Sequence, residues 1–116
     1  MINYDGKRFR PIQTQGPSET TSETIFEYSQ TGTLLRATYS GGDIEYGSLI
    51  ATVDSEGCLD MRYLHRNKSG ELMTGTCQSV PEILDTGKIR LHETWQWTCP
   101  EMPSNKSKGT SILEEV

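Results

Sequence analysis

Glu93, Trp95 and Trp97 occupy alternate positions in the stretch Ile89-Arg-Leu-His-Glu-Thr-Trp-Gln-Trp97. In an extended chain alternate side chains share a face, so this stretch would set two indole surfaces beside one carboxylate. Indoles offer large apolar faces for stacking on planar groups. A carboxylate among them needs a partner or keeps its proton. Met61 and Tyr63, in the alternating run Leu59-Asp-Met-Arg-Tyr63, match the same chemistry. Met61, Tyr63, Glu93, Trp95 and Trp97 are therefore the candidate ligand-binding residues: apolar walls with one polar anchor. Two other readings of these residues stay open. The rings could simply fill an interior, and Glu93 could be held by an internal ion pair with Arg10 or Arg36.

Other chemistries find little support. His65 and His92 are the only histidines, and neither has a second ligand at a spacing that makes a metal site. His92, one position from Glu93, points the opposite way, to the surface or rim. Cys58, Cys77 and Cys99 are odd in number and lack C-x-x-C spacing, which suits reduced thiols in a cytoplasmic protein. With no nucleophile elbow, phosphate loop or H-E-x-x-H motif, no catalytic residue is assigned and no cofactor is expected. A cysteine and a histidine brought together by the fold would be the remaining route to nucleophilic catalysis.

Partners are constrained by charge. The formal net charge is −5 and the eleven basic residues are scattered, whereas a nucleic-acid surface needs a concentrated cationic footprint. Lys7, Arg8 and Arg10 form the densest group, fit for a small anion or for charging a strand edge against aggregation. No run approaches the roughly 18 apolar residues of a membrane span, and MINYDGKRFRP has no apolar signal core. The sequons at Asn67-Lys-Ser69 and Asn105-Lys-Ser107 then read as polar turns.

The elements that must position these residues are strands. The 116 residues make one domain, 1–116, and hold two alanines against 34 Val, Ile, Thr, Tyr, Phe and Trp, so helix should be nearly absent. Turn signals recur at Asp5-Gly6, Thr31-Gly32, Gly41-Gly42, Ser55-Glu56-Gly57, Lys68-Ser69-Gly70 and Thr86-Gly87, near the spacing of short antiparallel strands. Nine strands follow: Ile2 to Tyr4, Lys7 to Ile12, Thr24 to Gln30, Leu34 to Tyr39, Ile44 to Val53, Cys58 to Arg66, Glu71 to Ser79, Lys88 to Thr98 and Thr110 to Glu115. Gln13 to Glu23 and Cys99 to Lys108, rich in Pro, Ser, Thr and charge, read as mobile loops. Thr20-Thr-Ser-Glu23 imitates a helix capping box, but the β-branched and aromatic residues after it suit a strand start.

Hairpin parity tests the site. Turns around Lys68 to Gly70 and around Gly87 pair Tyr63 with Met73, Leu59 with Cys77, Ser79 with Trp95 and Cys77 with Trp97. One wall then carries Leu59, Met61, Tyr63, Met73, Cys77, Leu91, Glu93, Trp95 and Trp97. Such a face must be buried, and a thin apolar composition favours an antiparallel meander of about eight to ten strands closed into a small up-and-down β-barrel, as in lipocalin-like and avidin-like folds. Thr110 to Glu115 would pair with an N-terminal strand and remove both edges.

The segments Tyr39-Ser-Gly-Gly-Asp-Ile44, Gly70-Glu-Leu-Met-Thr-Gly75, Gly87 to Trp97 and Lys108-Gly-Thr-Ser-Ile-Leu-Glu-Glu115, with Asn3-Tyr-Asp-Gly-Lys-Arg-Phe9, resemble a family of short bacterial proteins of unassigned function. The resemblance spans almost the whole chain. Members often carry the label N-acetylglutamate synthase, which implies acetyl transfer from acetyl-coenzyme A. The usual pyrophosphate loop of such enzymes, Gln/Arg-x-x-Gly-x-Gly/Ala at a helix N-terminus, is approached only by Gln13-Thr-Gln-Gly16-Pro-Ser18, which has no helical sequence behind it. Three functions are carried forward: a barrel binding a small molecule in its lumen, a non-catalytic protein-interaction module or homo-oligomer, and the acetyltransferase.

Overall fold

The computed structural model describes residues 2–100 and 107–116. Among them there is no helix. Eight antiparallel strands, β1 (Arg8–Gln15), β2 (Ile25–Thr31), β3 (Leu34–Gly41), β4 (Ile44–Val53), β5 (Leu59–Asn67), β6 (Leu72–Ile83), β7 (Ile89–Trp97) and β8 (Lys108–Glu115), run in sequence order around a closed barrel. Alternation writes the architecture into each strand: in β7 Ile89, Leu91, Glu93, Trp95 and Trp97 are buried while His92, Thr94 and Gln96 face out. The expected closure is present, with β8 paired to β1 from Phe9↔Glu115 to Gln15↔Thr110.

One expected strand does not form. Ile2 to Tyr4 runs as an irregular segment, and its tyrosine plugs one end of the barrel. Tyr4 is fully buried, its ring against Phe9 and Tyr28, its hydroxyl donating to the Gly57 carbonyl at 2.5 Å. A short run at a barrel end has no free ladder to join, so its apolar ring closes the end instead. At the opposite end the expected Gln13-to-Glu23 loop is shorter, because Gln13, Thr14 and Gln15 extend β1 along β8. Residues 16–24, which take in Thr24 because β2 starts one residue later than expected, are bonded down rather than loose: Thr24 is fully buried and its hydroxyl donates to the Gly41 carbonyl at 3.0 Å. Of the other expected loop, positions 101–106 lie outside the described residues.

Register departs from the parity expectation by two residues in both hairpins. Tyr63 pairs with Gly75, Leu59 with Ser79, Cys77 with Trp95 and Ser79 with Glu93. The cause is a repeated turn. Ser55-Glu56-Gly57, Lys68-Ser69-Gly70 and Asp85-Thr86-Gly87 are three-residue loops whose last glycine has φ of 82°, 84° and 86°, the left-handed position that closes such hairpins. Their centres are Ser69 and Thr86, one residue from the centres first assumed at Lys68 and Gly87. A two-residue slip returns every side chain to the same face, so the wall survives. Leu59, Met61, Cys77, Leu91, Glu93, Trp95 and Trp97 are buried, and Tyr63 and Met73 are half-buried.

Candidate functional site

The five candidate residues meet at one place. Met61, Tyr63, Glu93, Trp95 and Trp97 line a cavity of about 50 Å³ in the lumen, together with Phe26, Tyr28, Tyr39, His65 and, from the 16–24 loop, Ser18 and Thr20. Met61 and Tyr63 come from β5, the other three from β7.

Deep in this cavity Glu93 has no cationic partner among the described residues. Arg10 and Arg36, the two arginines considered for it, sit exposed on the outer face, because each lies one position off the inward-facing set of its strand. The Ser79 hydroxyl donates to Glu93 Oε2 at 2.5 Å, from the position directly across the β6–β7 ladder. Burial pushes the Glu93 carboxyl up to about 7, with hydrogen bonds from Ser79 and the Cys77 thiol pulling the other way. The buried Tyr28 hydroxyl, also on the cavity wall, has no hydrogen-bond partner among the described residues.

The aromatic walls are fixed by their polar edges. Trp95 Nε1 donates to Ser111 Oγ at 2.9 Å, and Trp97 Nε1 donates to the Pro17 carbonyl at 2.8 Å. The two indoles meet edge to face at 5.9 Å, and Tyr63 and His65 each lie 5.6 Å from Trp97. Room for these rings comes from glycine. Tyr39 faces Gly47, Tyr63 faces Gly75 and Trp95 faces Gly109 directly across the ladders, and a Cβ at any of the three would overlap the ring. Each ring therefore lies back against the wall rather than across the lumen.

The mouth carries a latch that the sequence reading did not find. His65 is buried; its Nε2 donates to Glu19 Oε1 at 2.8 Å, which leaves Nδ1 to accept from the Tyr39 hydroxyl at 2.9 Å. Asn67 Nδ2 donates to the second oxygen of Glu19, also at 2.8 Å. Loop 16–24 is thus held over the cavity by Glu19 on one side and by the Trp97–Pro17 bond on the other. His65 was detectable, since it continues the 59, 61, 63 parity of β5, as Tyr28 and Tyr39 continue those of β2 and β3. Glu19 had no such signal, lying in a segment without periodicity. His92 is where parity put it, exposed and 2.8 Å from Glu82.

A family model described as Avidin-like protein matches residues 2–116. The chain belongs to the avidin-like family. No curated protein and no solved structure matches it. The match says nothing of the N-acetylglutamate synthase label. In this avidin-like barrel the Gln13-to-Ser18 segment leaves β1 for the barrel mouth, so it cannot set backbone amides at a helix start, as a pyrophosphate cradle requires.

The latch should control access to the cavity. Replacing Glu19 by Ala removes the bonds to His65 and Asn67 from a half-buried site. The expected loss of stability is modest, about 1 to 2 kcal/mol, but acrylamide should quench the tryptophans more efficiently than in the parent. Unchanged quenching would mean that loop 16–24 is held without Glu19.

Proposed function

We propose that this avidin-like barrel binds a small molecule in its lumen, with Met61, Tyr63, Trp95 and Trp97 as walls and Glu93 as the polar anchor. The observation that carries this reading is Glu93 itself. A carboxylate buried without a counter-charge, near an unpartnered tyrosine hydroxyl, costs stability in a merely filled core. A ligand would offer the carboxylate a partner and supply the bond that the tyrosine hydroxyl lacks. The cavity is about a third of the roughly 150 Å³ that accepts benzene in an apolar core, so a group of a few atoms seats under the loop and anything larger displaces it.

The chain's two tryptophans both line this cavity, which makes their fluorescence a direct report on occupancy. A fragment library screened by tryptophan emission and by melting temperature should yield compounds that change both, and lose their effect in Trp97→Leu. No hit in either measurement would reject a binding lumen. Acetyl-coenzyme A should give no saturable heat in a calorimetric titration, and micromolar binding would restore the acetyltransferase reading. The thiols of Cys58, Cys77 and Cys99 are free in the described structure, which supports a cytoplasmic location.

A second reading, association with another protein or a further copy of the chain, draws on the outer faces of β4, β5 and β6. Tyr46, Ile50, Leu64 and Leu72 are exposed there. Sedimentation of the purified protein tests it, and a monomer would reject self-association.

A further inference from the structure

We infer that the lumen takes a small organic cation, an ammonium or amidinium head paired with the Glu93 carboxylate and enclosed by the rings of Trp95 and Tyr28. The inference rests on the lumen being a ligand site and adds the charge of its occupant. Among the described residues no lysine or arginine lines the cavity. The bases that make ion pairs do so elsewhere: Lys7 with Glu115, Arg62 with Asp60, Arg66 with Glu45 and Arg90 with Glu114. The buried Glu93 carboxylate therefore takes hydrogen bonds from Ser79 and Cys77, while the described residues bring it no cation.

Ser79 and Cys77 from β6 hydrogen-bond the Glu93 carboxyl, Ser111 lies across the β7–β8 ladder, and Tyr28 from β2, Tyr63 from β5 and Tyr4 from the plugged end feel its charge. Burial pushes the tyrosines and the thiol up, so all four stay neutral at physiological pH. At the mouth His65 is already committed to Glu19 and Tyr39. An anionic ligand would meet a like charge at the floor. A cation meets a carboxylate together with electron-rich ring faces, and cation–π attraction grows when both partners are dry. The Tyr28 hydroxyl supplies a further acceptor for an N–H donor.

A cation must displace the proton that Glu93 holds below about pH 7, so its affinity should rise with pH, whereas an uncharged donor gains nothing from ionisation. The probes are acetamidinium and benzamidinium, with acetamide and benzamide as uncharged isosteres. Binding is read by tryptophan fluorescence at pH 6 and 8.5. At pH 8.5 the amidinium should bind at least tenfold more tightly than the amide, and about tenfold more tightly than it does at pH 6. Glu93→Gln should abolish the preference, and His65→Gln should keep the pH dependence. Equal binding of amide and amidinium, or amidinium binding that survives Glu93→Gln, overturns the cation. Neutral fragments that bind where both amidinium ions fail overturn it too, while leaving the lumen a ligand site. If no compound of either kind binds, the lumen reading falls with it.

Discussion

Glu93→Gln should raise the stability of the protein above pH 7 and leave it almost unchanged near pH 4. The carboxyl titrates near 4.5 in the unfolded chain and about 7 in the barrel, so between those values the folded state binds the extra proton. Stability contributed by that proton is complete below the unfolded value and is lost as pH rises through the folded one. At about 1.4 kcal/mol for each pH unit between the two titrations, the parent forfeits on the order of 3 kcal/mol by pH 8. Glutamine has nothing to ionise and still accepts from Ser79. Chemical denaturation of both proteins at pH 4, 6 and 8 checks this, with the gap widening upward. A loss of about 3 to 5 kcal/mol at pH 8 would instead reveal a cationic partner stranded by the change.

Gly109→Ala should be among the most damaging single-methyl additions available to the chain. The new Cβ would meet the Trp95 ring and the backbone oxygen of Gln15, and neither can give freely. Trp95 is buried and tied to Ser111, while Gln15 belongs to the β1–β8 ladder. Overpacking of this kind costs about 1 to 3 kcal/mol, and the upper end applies where backbone is one of the obstacles. Thermal melts of Gly109→Ala, Trp95→Leu and the double variant separate the two contacts. Partial recovery in the double variant is expected, since shrinking the side chain removes one clash and not the other. A change below about 0.5 kcal/mol would mean that the indole does not rest on Gly109.

The barrel and its inner wall were legible because a period of two is robust to the errors that sequence reading makes. Placing the turn centres at Lys68 and Gly87 misassigned each partner, yet Glu93 still pointed inward, since the error was even. The turns themselves were readable in a finer sense: three loops of the form x-x-Gly, each flanked by a residue whose N–H closes the hairpin, put the centre on the residue before the glycine. What periodicity could not supply was the cover. Glu19 reaches His65 from a segment of Gly, Pro, Ser and Thr, and its position depends on the closed mouth. Ile2 to Tyr4 was misread for a related reason, because three apolar and polar residues in a row do not distinguish a strand from a plug.

The β1 strand joins the barrel unevenly. To β2 it is laddered only through Arg8↔Glu27 and Phe9↔Phe26, two residues before Pro11, which has no N–H to give; the rest of its pairing is with β8. Every other seam joins neighbours in sequence. The β1–β8 seam brings Gln15 to Thr110, and such a distant closure is the slow, entropically expensive step for a chain otherwise built from hairpins. In kinetic terms β2 to β8 can assemble as a sheet before β1 docks, and the 16–24 loop arrives with it. On that order the lumen would be roofed in the last act of folding, and a transient undocking of the first strand would re-create an open vessel with the other seven still paired.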